Sequence, residues 1–199
     1  MDSLTDEQLI TLIHQGDPGA FNRLTERWES TLYRFIRRVM GNPDDARDVC
    51  QEALLKAWVN LPRLRDGARF KSWLHYIALN ICRDRFRSRK VRGINQSYEE
   101  TGAEALPADV TRPWHFTTER ATERSSLRDL MEDVLTTLPV EQRTAIVLRE
   151  FQGFTSDEIA EITGVPSATV RSRIFYGFKA LRRTLRERGI TEENFAEGA

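Results

Sequence analysis

A tight glycine turn between two helical patterns, in residues 155–186 (TSDEIAEITGVPSATVRSRIFYGFKALRRTLR), restricts this chain more than any other feature. Thr155 caps the first helix, and Glu158, three residues on, completes a capping box. Ile159 and Ala160 supply its apolar contacts. Gly164 stands where that helix must stop, because glycine takes the left-handed conformation of a helix end at little cost. Pro166 and Ser167 restart the chain, with Ser167 placed to cap the second helix. Val170, Ile174, Gly177, Leu181 and Leu185 repeat along one side of that helix; Ala168, Arg171, Ser172, Phe175 and Lys179 lie on the other. This is the pattern of a helix-turn-helix, whose second helix enters the major groove of DNA. Two core helices with a solvated face would share the spacing but not the charge. Residues 171–188 carry seven Lys or Arg against Glu187 alone, whereas a helix that only faces water mixes its signs. Crowded cations repel one another, and a polyanion relieves that repulsion.

The same charge argument extends along the chain. Thirty basic and thirty acidic residues cancel over 199 positions, but they are segregated. Residues 63–92 hold ten Lys or Arg against two Asp, and residues 98–133 hold nine Asp or Glu against four Arg. The order is basic, acidic, basic. No run approaches the ~20 apolar residues of a membrane helix, and MDSLTDEQLI lacks the layout of a signal peptide. No membrane insertion is expected, and a cytoplasmic setting fits. Two cysteines make neither a disulfide framework nor a zinc site. The three histidines are widely spaced, and no HExxH, phosphate-binding glycine loop or GxSxG motif occurs. No enzymatic activity, metal or cofactor is expected.

In chain order, residues 5–15 predict a short helix with a Thr5–Gln8 capping box, ended by Gly16. Asp17 and Pro18 open a second helix to about Met40, broken by Gly41, Asn42 and Pro43. A third helix, capped by Asp44 or Asp45, reaches Asn60. Its apolar face is Cys50, Ala53, Leu54, Ala57, Trp58 and Leu61, so Cys50 reads as a small buried hydrophobe. Its other side carries Asp45, Asp48, Gln51, Glu52 and Lys56, a face that suits either solvent or a basic partner. A basic loop leads to a fourth helix, from Phe70 to about Arg89, with Phe70, Trp73, Leu74, Ile77, Ala78 and Ile81 toward the core. These four helices can close one core of domain size. Beside that stripe stand Trp73, Tyr76, Asn80, Arg83 and Arg87. Rings interleaved with Arg and Asn suit single-stranded nucleic acid, since bases stack and cations follow phosphates; burial of the two aromatics in the core is the alternative. Residues 93–125 read as a flexible acidic linker. A second helical domain follows over 126–188, with Leu127 to Leu138 as one stripe and Ile146, Val147 and Phe151 on the next helix. Residues 189–199 form a polar tail. The fold class is all-α: two small helical domains, 1–92 and 126–188, joined by the linker.

Three blocks in this order resemble bacterial RNA polymerase sigma factors of the extracytoplasmic-function type. They are residues 44–58 (DDARDVCQEALLKAW), residues 70–89 (FKSWLHYIALNICRDRFRSR) and residues 138–149 (LPVEQRTAIVLR) with the helix-turn-helix behind them. The resemblance implies a dissociable specificity subunit that binds core RNA polymerase, directs it to promoters and helps melt the minus-10 element. The acidic face of the third helix, with Asp48, Gln51 and Glu52, would meet the clamp helices of the largest subunit. Arg65, Arg69, Trp73, Tyr76, Asn80 and Arg83 would lie along the separated minus-10 strand, holding an extruded base. Arg171, Ser172, Arg173 and Phe175 would meet the minus-35 duplex, and the outer surface of that domain the flap of the second-largest subunit. The linker would thread toward the active centre and RNA exit path, and an anti-sigma partner is expected. One departure from the family stands out. Tyr176, Gly177 and Phe178 replace an Arg-Ala-Arg-like run, which removes two expected DNA contacts and puts a flexible glycine in a helix.

Two other classes compete. A stand-alone repressor or activator accounts for residues 126–188 but gives the third and fourth helices no task, and it would usually be a dimer on a palindrome. A nucleic-acid-processing enzyme needs clustered carboxylates or metal ligands, which the sequence does not offer.

Overall fold

The computed structural model describes residues 4–100 and 123–190 of the chain. Among these residues every regular element is helical. Helix α1 (Asp6–His14) begins at the expected capping box, with Thr5 and Gln8 satisfying each other's backbone N–H. Helix α2 (Pro18–Met40) starts on the Asp17 cap and ends at Gly41, which sits in the left-handed region at φ 73°. The cap of α3 (Pro43–Asn60) is Asn42 rather than Asp44 or Asp45: its side chain accepts from the N–H groups of both. Pro43 takes the first helical position, where no N–H is needed.

Helix α4 (Phe70–Glu100) runs well past the expected end near Arg89. Gly93 does not stop it; a lone glycine costs a long helix only about 1 kcal/mol. The stretch 93–125 is therefore not all linker: its first residues continue α4, and α5 (Glu123–Thr136) begins slightly earlier than expected. The rest of the acidic stretch lies outside the described residues. Helix α6 (Val140–Ile146) widens into a π-type turn over Val147–Phe151. Then come α7 (Ser156–Thr163) and α8 (Ser167–Glu187).

The helix-turn-helix forms as its sequence predicts, with a Thr155–Glu158 capping box and Gly164 at φ 73°. One detail differs. Ser167 is the first helical residue of α8, the cap position is Pro166, and no side chain caps it.

Helices α1–α4 enclose Leu9, Leu24, Leu32, Phe35, Ile36 and Leu74, all fully buried. Each such side chain contributes roughly 1.5–3 kcal/mol through burial. Helices α5–α8 enclose Val134, Leu135, Ile146, Leu148, Ile159 and Val170. The two units also pack on each other: α4 lies against α7, and α2 against α5, α6 and the turn 147–151. Burial on α4 extends past its periodic stripe, in part where Gln152 and Phe154 reach His75 and Arg143 lies near Cys82. His75, Leu79 and Cys82 are buried on α4 although none belongs to its predicted stripe. Trp58 goes the other way and is 44 % exposed. The buried face of α3 is Ala46, Val49, Cys50, Ala53 and Ala57, small residues that let the helix approach α2 closely.

Gly177 is not a flexible insertion. It is buried where α8 meets α6, and a Cβ there would lie 2.6 Å from Ile146 Cδ1. Its missing side chain is the space that Ile146 fills. Gly177→Ala is therefore expected to lose about 1 kcal/mol in urea unfolding: overpacking costs about 1–3 kcal/mol, and helix propensity returns about 1. Ile146→Val removes the clashing methyl and should recover most of that loss in the Gly177→Ala background while costing stability alone. Strict additivity of the two changes would refute the contact.

Candidate nucleic-acid interface

Three surfaces carry the residues singled out above. The first is α4 with the loop before it. Phe70 and Trp73 meet at a tilt, 6.0 Å between ring centres; Trp73 is half-buried, while Tyr76 beside it is exposed. Arg69 and Arg65 stand on the loop, both exposed. Leu64, Arg69, Ser72, Trp73 and Tyr76 line an open groove of about 220 Å³ together with Glu161 and Ile162 of α7. Asn80 and Arg83 face each other, with Arg83 Nη1 3.4 Å from Asn80 Oδ1. Arg87 is exposed beside Asp84. The loop and helix thus bring Arg69, Trp73, Tyr76, Asn80 and Arg83 along one side, with Arg65 exposed on the loop before them. Burial, and then the nearby Arg173 cation, hold the Arg83 guanidinium below its usual range.

The second surface is α3. Asp45 is paired with Arg89, and Glu52 with Lys56 (2.9 Å) and Arg85 (3.3 Å). The Lys56 contact, with Arg85, holds the Glu52 carboxyl below its usual range. Asp48 and Gln51 remain exposed. Beside them runs an apolar strip that the stripe analysis missed: Leu55, Trp58 and Val59 are all exposed. Phe21 of α2 meets Trp58 at 4.6 Å, and the two help line a groove of about 600 Å³ with Pro18, Asn22, Thr25, Gln51, Leu54 and Leu55. The signal was present as the doublets Leu54-Leu55 and Trp58-Val59, since one member of each doublet must leave a single helical stripe.

The third surface is α8. Arg171, Ser172, Phe175 and Lys179 are exposed together, as expected. Arg173 is only half-exposed and turns toward Arg83 of α4. Tyr176 and Phe178 are both exposed. Phe175 and Tyr176 meet edge-to-face at 5.3 Å, and with Arg149, Arg182, Arg183 and Arg186 they line an open groove of about 1360 Å³. It is a basic, aromatic groove, suited to a nucleic acid rather than a small anion.

Both cysteines are buried, and burial pushes the Cys50 thiol up to about 11 and Cys82 up to about 12, values of unreactive thiols. Among the described residues no cluster of His, Cys, Asp or Glu could hold a metal ion, and no helix is long and apolar enough to cross a membrane.

Residues 24–92 match the Sigma-70 region 2 family, and residues 128–181 match the Sigma-70 region 4 family. The RNA polymerase sigma-H factor of Pseudomonas aeruginosa is 32 % identical over 180 residues, covering 90 % of this chain and 93 % of that protein. The chain belongs to the sigma-70 family, among the extracytoplasmic-function (ECF) sigma factors. The ECF sigma factor SigW of Bacillus subtilis is 32 % identical over 184 residues, covering 89 % of this chain and 95 % of its own. Of solved structures, that of CnrH in complex with the cytosolic domain of CnrY matches with a TM-score of 0.64 and 25 % identity, over 92 % of this chain and 97 % of that one. The sigma factor RpoE of Bartonella quintana, in complex with the anti-sigma factor NepR, shares the fold at a TM-score of 0.61 and 24 % identity, over 83 % of this chain and 96 % of that one. Sigma factors bind core RNA polymerase and promoter DNA and act in transcription initiation.

Proposed function

We propose that this sigma factor divides its work among the three surfaces. Helix α3 docks on the clamp helices of the largest polymerase subunit through Asp48, Gln51, Leu55 and Trp58. Its ion-paired residues Asp45, Glu52 and Lys56 frame that contact. The side of α4 carrying Arg65, Arg69, Trp73, Tyr76, Asn80 and Arg83 receives the separated minus-10 strand, with Arg87 at its far end. An extruded base costs a few kcal/mol in lost stacking, and an aromatic platform offsets about 1–3 kcal/mol per stacked base. Helix α8 lies on the minus-35 duplex through Arg171, Ser172, Phe175 and Lys179, with Arg173 at the edge; the opposite face of that unit meets the flap of the second-largest subunit. The observation that carries this reading is the joint presence of an aromatic and basic face on α4 and a basic recognition helix in one chain. Relatives in complex with anti-sigma factors support the same mode of control here, in the cytoplasm, where core polymerase and promoters are found.

Reconstituted transcription tests the reading: purified protein and sigma-free core polymerase on a pool of genomic promoter fragments, with transcript starts sequenced. Starts that share two spaced upstream motifs and vanish without the protein are expected. Fragment binding without core polymerase and no new starts would instead support the stand-alone regulator. In the same system Arg171→Ala should weaken upstream duplex binding at all sequences carrying the motif. If it removes a single phosphate contact, the slope of log affinity against log salt should flatten by about 0.9; an unchanged slope would place Arg171 away from the phosphates.

A further inference from the structure

Helix α8 carries two large rings on its solvent side. Phe175 is 65 % exposed and Tyr176 57 % exposed, in a groove otherwise rich in cations. Gly177 fixes where they point. It meets Ile146 of α6 so closely that no Cβ fits, which sets the rotation of α8 about its own axis. Residue 176 lies about 100° round the helix from that contact, and residue 175 about 200°, so both rings are turned away from the core. They meet edge-to-face, 5.3 Å between centres, and Phe175 therefore limits the directions that Tyr176 can take. Arg171 and Ser172 stand one turn before them and Lys179 one turn after, all exposed. Arg183 has Glu187 at 3.6 Å, but Arg171, Lys179, Arg182 and Arg186 have no carboxylate in ion-pair contact among the described residues.

Adjoining exposed rings, unlike a lone exposed residue, mark a surface that a partner covers. The unpaired cations around them make that partner a polyanion. In a duplex every base face is covered by its neighbours, so a ring in the groove meets only base edges. Those edges offer hydrogen-bonding atoms and one apolar group, the C5-methyl of thymine. We infer that Tyr176 is a specificity-determining residue of the upstream duplex contact. Its ring, held by Phe175, packs on the methyl of one thymine while Arg171 and Lys179 hold phosphates on either side. The inference rests on the assignment of α8 to the minus-35 duplex and adds the base that the helix selects there. The departure at Tyr176-Gly177-Phe178 is then an exchange of contacts and not only a loss.

The test uses polymerase reconstituted from the full chain and sigma-free core, on a synthetic copy of a promoter it selects from genomic fragments. Each thymine of the upstream motif, on either strand, is replaced in turn by deoxyuridine, which removes the methyl and keeps every hydrogen-bonding atom. Affinity is read by competition against the unsubstituted duplex. At one position the replacement is expected to weaken binding about fourfold, the worth of one buried methyl-sized group. Tyr176→Ala should weaken binding to the thymine promoter at least as much and abolish the difference between thymine and uracil at that position. Tyr176→Phe, which keeps the ring, should retain the difference. A difference of full size in Tyr176→Ala would place the methyl on another side chain. No difference at any position in the wild type, or an upstream motif without thymine, would leave the ring to a protein partner. Either result overturns the inference. Arg171→Ala separates this failure from that of the underlying reading. If it weakens binding while every uracil is silent, the thymine contact alone is refuted. If Arg171→Ala and a scrambled upstream motif both leave affinity unchanged, the assignment of α8 to the duplex fails, and the thymine contact with it.

Discussion

Trp58→Ala is expected to weaken binding of core RNA polymerase about 30-fold, the equivalent of about 2 kcal/mol, and to leave affinity for a single-stranded oligonucleotide unchanged. The reason lies in how α3 divides its surface. Glu52 is shared between Lys56 and Arg85, and Asp45 is paired with Arg89. Carboxylates already satisfied within the chain add little when a partner arrives, because each must give up one ion pair to make another. The large apolar groups are different. Trp58 and Leu55 are exposed, and Trp58 leans on Phe21 beside an open groove. Covering an aromatic anchor in such a groove is the usual source of an interface's strongest contact. Asp48, which is exposed, should behave as a rim charge: Asp48→Ala is expected to change the association rate and its salt dependence more than the dissociation rate. Competition binding of the two variants to core polymerase measures both. A normal affinity for Trp58→Ala with a collapsed one for Asp48→Ala would show that α3 docks by charge, and would overturn the apolar assignment.

The same helix shows where sequence reasoning reached and where it stopped. Local devices were legible because they depend on neighbours in sequence. The Thr5–Gln8 and Thr155–Glu158 capping boxes and the left-handed Gly41 and Gly164 all form as their residue types require. The all-α class followed from periodicity, and the family from the resemblance of three blocks. What stayed hidden depends on partners distant in sequence. Trp58 fits a 0, 3, 4, 7, 8, 11 spacing as well as any core residue, yet the small residues Ala46, Ala53 and Ala57 take the buried face and turn it outward. His75 and Cys82 look surplus on α4 until Phe154 and Arg143 of the second unit are placed beside them. Gly177 reads as a weak point until Ile146 is seen filling the missing side chain. Spacing gives the face of one helix; it does not say whether a second element covers the other face.

His75 lies on such a second face, and its environment sets a pH dependence. It is fully buried, with Trp28 and Phe35 of α2 on one side and Phe154 on the other. Its Nδ1 lies 2.7 Å from the Lys71 carbonyl and its Nε2 3.2 Å from Gln152 Oε1. A neutral ring donates through one nitrogen only, and a Gln152 amide turned over would donate to the other. Burial, the dominant effect, pushes the ring down to about 4; the two hydrogen bonds oppose this, and the Lys71 cation adds to it. No carboxylate is among these contacts to stabilise an imidazolium. The folded chain therefore binds its His75 proton more weakly than the unfolded chain does. Above pH ~6.5 both forms are neutral and the full stability is present. As pH falls from there toward 4, the unfolded chain takes up the proton first, and stability declines by up to about 3 kcal/mol. Other groups titrate over the same range, so the informative quantity is the difference from His75→Gln, which cannot titrate. The wild-type advantage, from urea unfolding at a series of pH values, should be constant above pH ~6.5 and shrink steadily below it. A difference that stays flat down to pH ~4 would mean that His75 is charged or wet in the folded chain, and the ring cluster that holds α7 over α4 would then not be dry.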